Sequence, residues 1–192
     1  IATALGTLAA LGLSRPHMPF KGLIMAILIS PMIVPLIITA AGMFFFYARI
    51  NLVYTFTGVI LAHVALATPF VVITVTATLV GFDMNMVKAA QSLGARPVKT
   101  FFRVIMPLIL PGVISGALFA FITSFDEVVI VMFMASLDQL TIPKQMWAGI
   151  RQEISPVILC MATCLVALSI FLLTTVELLR RRSERLRGIK PR

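Results

Sequence analysis

Thr55-Phe56-Thr57-Gly58-Val59-Ile60-Leu61-Ala62-His63-Val64-Ala65-Leu66-Ala67-Thr68-Pro69-Phe70-Val71-Val72-Ile73-Thr74-Val75-Thr76-Ala77-Thr78-Leu79-Val80 contains no Asp, Glu, Lys or Arg. As a helix rising ~1.5 Å per residue, this run is longer than the ~30 Å hydrocarbon core of a bilayer. The rest of the 192-residue chain has the same character: 60% of residues are hydrophobic and 12% charged, and the mean hydropathy is +1.06. Soluble domains carry about 25% charge, and a chain this short cannot bury so much apolar surface within itself. A soluble enzyme and a disordered chain are thereby excluded, as is a disulfide scaffold, since there are two cysteines. The chain reads as a membrane protein.

Further spans appear on either side of that run. Upstream, residues 22–47 form an apolar stretch in which Pro31 and Pro35 predict a kink, because proline removes an internal hydrogen bond. Ile1 to Leu13 is apolar but only about 20 Å long as a helix. It is expected to be the remaining half of a longer span rather than a signal peptide, with a further span upstream. Downstream, spans are expected from Pro107 to about Met134 and from Pro156 to about Leu179. A polar connection with Asp138, Lys144, Trp147, Arg151 and Glu153 lies between them.

The charge distribution orients these spans. The net charge is +9, yet no basic face with interleaved aromatics marks a nucleic-acid surface. Thirteen of the 16 Lys and Arg fall in residues 14–21, residues 81–106 and the tail 180–192; only Arg49, Lys144 and Arg151 lie on the other side. This bias places the tail and the 81–106 segment in the cytoplasm.

Residues 81–106 are the longest amphiphilic stretch. Asp83 is placed to cap a helix over Met84 to Leu93. Gly94 suits a left-handed helix end, and Pro97 suits the first turn of a second short helix, Val98 to Val104. Ala89, Ala90 and Gly94 allow close approach of another backbone, and Phe101 and Phe102 can fill a cleft. The residues alone leave two readings open: a docking surface for another protein, or an interfacial helix on lipid.

Lys88-Ala89-Ala90, Gly94, Val104 and Met106-Pro107 have the spacing of E-A-A-x3-G-x9-I-x-L-P. Leu93-Gly94-Ala95 and Pro111-Gly112 extend the match. The segment resembles the EAA loop of inner-membrane permease subunits of binding-protein-dependent ABC importers. Lys88 stands where that pattern has Glu and reverses its charge, while Val104 and Met106 keep the apolar character of Ile and Leu. The resemblance implies an all-α, polytopic transmembrane helical bundle of the MetI-like, type I kind in the bacterial inner membrane. It implies one permease domain over 1–192, truncated at its N-terminus, with 81–106 as the coupling loop and 180–192 as a basic cytoplasmic tail. In that reading Lys88, Ala89, Ala90, Leu93, Gly94, Ala95, Phe101, Phe102 and Pro107 face a separate ATPase. The chain itself has no G-x-x-x-x-G-K-[ST] phosphate loop. No cofactor is expected on it; ATP and magnesium belong to the ATPase.

Asp126 and Glu127 are expected inside the fourth span, Asp126 about 22 Å up from Pro111. Acids there face a bundle interior or a wet cavity; bracing the bundle as an ion pair or helix cap is the alternative. The wording around them, Ser124-Phe125-Asp126-Glu127-Val128-Val129, together with Thr141-Ile142-Pro143-Lys144-Gln145-Met146-Trp147, resembles the spermidine/putrescine branch. Ser124, Asp126, Glu127, Trp147 and Glu153 then become the expected substrate pathway, acids and an aromatic face suiting a flexible cation. Implied partners are a second permease subunit forming a heterodimer, two ATPase copies, a periplasmic solute-binding protein and the lipid bilayer, with no nucleic acid.

The alternatives are a permease for another solute (phosphonate, opine or amino-acid derivative) and an ion-coupled carrier. An intramembrane hydrolase would need a nucleophile–base or paired-acid constellation, which the spans lack. His63 is read as a helix–helix hydrogen bonder rather than a metal ligand. Cys160 and Cys164 are read as packing residues. The threonines of the Thr55–Val80 run are read as bonding to backbone or neighbouring helices.

Overall fold

The computed structural model describes all residues except 16, 84, 153–155 and 187–192. Among the described residues the secondary structure is helical throughout. In order come α1 (Ala2–Leu13), α2 (Lys21–Ile33), α3 (Leu36–Arg49), α4 (Phe56–Val80), α5 (Asn85–Ser92) and α6 (Pro97–Thr100). A π-helical turn (Phe101–Ile105) follows, then α7 (Met106–Phe125), α8 (Val129–Met134), α9 (Ile142–Gln152) and α10 (Pro156–Leu186). Three helical stretches are long and apolar enough to cross a membrane: α4, the continuous run Pro97–Phe125, and the Pro156–Thr175 part of α10. The bent pair α2–α3 makes a fourth if it counts as one span. The chain is a multi-pass, all-helical membrane protein.

The central helix is α4, which starts where its sequence says it should. Thr55 is the N-cap, its hydroxyl accepting from the Gly58 N–H at 3.0 Å. Three of its threonines turn back onto carbonyls one turn earlier: Thr68 on Val64 at 2.6 Å, Thr74 on Phe70 at 2.9 Å and Thr78 on Thr74 at 2.9 Å. Their hydroxyls are thus satisfied within an apolar helix. Two apolar clusters form around α4. One joins it to α1 and α7 through Ala10, Ala67, Val71, Val75, Ile109 and Ala120. The other joins it to α3 and α8 through Ala40, Ala62, Leu66, Ile130 and Met134.

Small residues set the spacing on the first side. A Cβ on Gly6 would lie 2.6 Å from Val71 Cβ, and one on Gly116 would lie 2.9 Å from Val71 Cα. A Cβ on Gly112 would lie 2.9 Å from the Thr74 carbonyl. Both α1 and α7 therefore touch α4 nearly backbone to backbone, the contact that lets helices associate in lipid.

Several expected boundaries move. The stretch 22–47 is not one kinked helix: α2 and α3 meet at 108°. Val34 is extended (φ −70°, ψ 136°), as a residue before proline prefers, and Pro35 is the N-cap of the next helix. The fourth span does not run unbroken to Met134; α7 stops at Phe125 and α8 begins at Val129. The second short helix of the 81–106 segment is not separate either, because α6 runs through the π turn into α7. Across that turn the Met106 N–H reaches the Phe101 carbonyl. Pro107 follows directly, and the wider turn ahead of it takes up its ring and missing N–H. The expected polar connection at 138–153 is largely α9, with the Thr141 hydroxyl accepting from the Lys144 N–H at 3.4 Å. Finally, α10 passes the expected boundary at Leu179, so the first part of the basic tail is helical.

Candidate functional site

Two regions carry the residues singled out above. The first is the exposed segment between α4 and α7. Asp83 accepts from the Asn85 N–H at 2.9 Å and opens α5. At the other end Gly94 has φ +79°, with its N–H on the Gln91 carbonyl at 2.9 Å and the Ala95 N–H on the Ala90 carbonyl at 3.0 Å. That pair of bonds is the Schellman closure, which places C′ in the left-handed region where glycine costs least. Arg96 is extended and Pro97 takes the first helical position. Each local signal thus produces the element it predicts.

On this frame Lys88, Ala89, Leu93, Gly94 and Phe102 are exposed, and Ala90, Ala95, Phe101 and Pro107 are half-buried. Leu93 is 88% and Phe102 63% exposed. The Phe101 and Phe102 rings meet edge to face at 5.0 Å. Lys88 is exposed, so its reversed charge is open to the surroundings. Because α6, the π turn and α7 form one rod, force applied at Phe102 acts directly on the helix that packs against α4.

The second region lies at the opposite end of α7. A cavity of about 720 Å³ is bounded by α1, α4, α7 and the start of α9, with Thr3, His63, Ser124 and Thr141 as its polar side chains. His63 Nδ1 and Ser124 Oγ are 2.8 Å apart, a hydrogen bond between α4 and α7. The helix–helix role read for His63 is thereby observed, and among the described residues no cluster of three metal-ligating side chains occurs. Cys160 and Cys164 are exposed on α10.

The acids are not where a continuous helix would put them. Asp126 is the exposed C-cap of α7 and lines a separate cavity of about 300 Å³ between α7 and α10. Glu127 is only 6% exposed, and its carboxylate accepts from the Ile130 N–H at 2.7 Å. It thus caps α8, where the helix dipole favours negative charge. Trp147, on α9, is 47% exposed. Glu153 lies outside the described residues. Within the expected pathway set, Ser124 enters the larger cavity and Asp126 the smaller one, while Glu127 and Trp147 line neither. What the sequence reading missed is the pairing of His63 with Ser124, for which the only hint was one imidazole in an apolar helix. The capping role of Glu127 had a better signal, an acid immediately ahead of the apolar run Val128 to Met134.

Residues 2–185 match the family described as the binding-protein-dependent transport system inner membrane component. The chain is 31% identical over 184 residues to the spermidine/putrescine transport system permease protein PotC of Haemophilus influenzae, covering 96% of this chain and 72% of that protein. It is 29% identical over 180 residues to PotC of Escherichia coli K12, covering 94% and 68%. It is 31% identical over 170 residues to the putrescine transport system permease protein PotI of the same strain, covering 84% and 60%.

Proposed function

Because the chain belongs to the family of binding-protein-dependent transport system inner membrane components, we propose that it forms half of the translocation pathway of an ATP-driven importer of polyamines. A related permease supplies the other half. Two copies of a cytoplasmic ATPase hydrolyse ATP with magnesium, and a periplasmic binding protein delivers solute. The chain performs no covalent chemistry. The observation that carries this reading is the exposed segment 85–105, whose Leu93 and Phe102 lie open and whose rod continues into α7. A motor gripping that segment would tilt α7 against α4 and alter the cavity at its far end. The basic segments 14–21, 81–106 and 180–192 support a cytoplasmic position for this handle and for the tail. The likeness to polyamine permeases over most of the chain supports the solute class.

The assembled complex in lipid vesicles tests the reading. ATP hydrolysis should rise when binding protein loaded with spermidine or putrescine is added, with labelled polyamine accumulating inside. Accumulation that continues with an inactivated ATPase would favour an ion-coupled carrier instead. Within that assay, Asp126→Asn combined with Glu127→Gln removes both acids while keeping an acceptor for the Ile130 N–H. Uptake is expected to fall about tenfold with assembly intact, the scale of one lost charged contact. Wild-type uptake in the double variant would make both acids structural.

A further inference from the structure

The segment between α4 and α7 carries positive charge that its own sequence leaves uncompensated. Lys88, Arg96, Lys99 and Arg103 are all exposed, and among the described residues none of them forms an ion pair. The sole acid between positions 81 and 106 is Asp83, whose carboxylate is already engaged by the Asn85 N–H at the start of α5. Within a helix an acid reaches Lys88 from three or four positions away, and those positions hold Met84, Asn85, Gln91 and Ser92. Lys99 and Arg103 stand four apart, the spacing at which like charges on a helix repel.

Two kinds of surface could supply the missing negative charge: anionic lipid headgroups, or carboxylates on a protein. The layout favours the protein. A helix resting on lipid gathers its large apolar residues on one face and its cations on the other. Here α5 exposes only two large apolar side chains, Met86 and Leu93. Beyond Gly94 the exposed Val98 and Phe102 alternate along the chain with Arg96, Lys99 and Arg103. Single apolar side chains set among cations match a groove with an apolar floor and a polar rim, the anatomy of a protein interface.

We propose that the ATPase groove receiving this segment is rimmed with carboxylates, that one of them pairs with Lys88, and that this pair selects which ATPase the permease accepts. Juxtaposed like charges count heavily against a wrong partner. A Glu at position 88, the residue of the pattern this segment resembles, would be repelled by the same groove. The proposal rests on the reading above that a separate ATPase grips segment 85–105.

The test uses the complete importer, permease pair and ATPase together, in mild detergent. A carbodiimide condenses a lysine amine with a carboxylate in contact with it and leaves as its urea. Mass spectrometry is expected to find Lys88 joined to an Asp or Glu of the ATPase. Lys88→Glu is expected to lower the ATPase retained on the permease about tenfold or more, and Lys88→Arg to stay within about threefold of wild type. Membrane insertion should be unchanged in both. Going from about 0.1 to about 1 M NaCl shortens the screening length from ~10 to ~3 Å, so the gap between Lys88→Glu and wild type should narrow. Wild-type retention in Lys88→Glu overturns the proposal, as does a loss of the same size at both salt concentrations. Lys88 joined to no ATPase carboxylate, while other lysines of the complex are joined, also overturns it. In vesicles, shielding of Lys88 from an amine-labelling reagent that follows phosphatidylglycerol content and not the ATPase would assign the cations to lipid and overturn it as well. An indifferent Lys88→Glu beside a Gly94→Asp that sheds the ATPase would sink the charge pairing alone. ATPase retained in both variants would sink the docking reading itself.

Discussion

Gly116→Leu is expected to remove most of the folded protein from the membrane. The first added carbon would sit 2.9 Å from Val71 Cα and against the Thr74 hydroxyl, with three more carbons beyond it. The nearest atom that cannot rotate away belongs to backbone, so α7 and α4 would have to separate. That separation would open the cluster formed by Ala67, Val71, Val75, Ile109 and Ala120. Overpacking a tight core costs about 1–3 kcal/mol, occasionally more, and here the contact opened is the main helix pair of the bundle. Gly42→Leu is the matched control, because nothing lies within 4 Å of a Cβ at that position. The measurement is the yield of monodisperse protein in mild detergent and its thermal unfolding midpoint. Equal behaviour of the two variants would show that the α4–α7 approach is not tight.

The second large effect is expected at the other end of α7. Gly94→Asp places a carboxylate between the exposed Leu93 and the Schellman bonds, at a residue with φ +79° and open space around it. The left-handed backbone at Gly94 strains any side chain, but aspartate visits that region more readily than most, so the fold should survive with a small loss of stability. What suffers is any partner surface that must approach the backbone there and bury Leu93. Co-purification of the ATPase is expected to drop about tenfold or more, the scale of losing one central contact of an interface. Membrane insertion should stay as in wild type, with the unfolding midpoint lowered by only a few degrees for the strain at a left-handed residue. An ATPase retained at wild-type levels would mean that the segment lies on lipid headgroups, not in a protein groove.

How much was legible depends on how far each signal reaches. Asp83 as a cap, Gly94 as a left-handed closure and Pro97 as a first-turn residue were read correctly, because each acts on backbone groups within one helical turn. The Asp126–Glu127 region was only half legible. Acids in an apolar run indicate an interior position, and Glu127 is indeed buried. Whether such an acid lines a pathway or caps a helix depends on where the helix breaks, and the sequence offers no proline or glycine at that break. The stretch before Pro35 announced a disturbance, but its 108° angle goes with the separate packing of α2 on α4 and of α3 on α8. The π turn at Phe101–Ile105 had one local clue, Pro107, which suggested a boundary and instead lies inside a continuous rod.

Apolar run length, charge asymmetry and capping residues therefore determined from sequence alone that the chain crosses a membrane several times and carries an exposed helix–glycine–helix segment. Tertiary structure alone decided that His63 meets Ser124 across 61 positions of sequence. It alone decided that Gly6, Gly112 and Gly116 are points of backbone contact, and that Asp126 and Glu127 face different surroundings. The physical reason is the solvent. Lipid is as apolar as leucine, so hydrophobicity places helices in the bilayer without saying which faces meet. That choice falls to close packing and to a few polar pairs, which exist only once the helices are side by side.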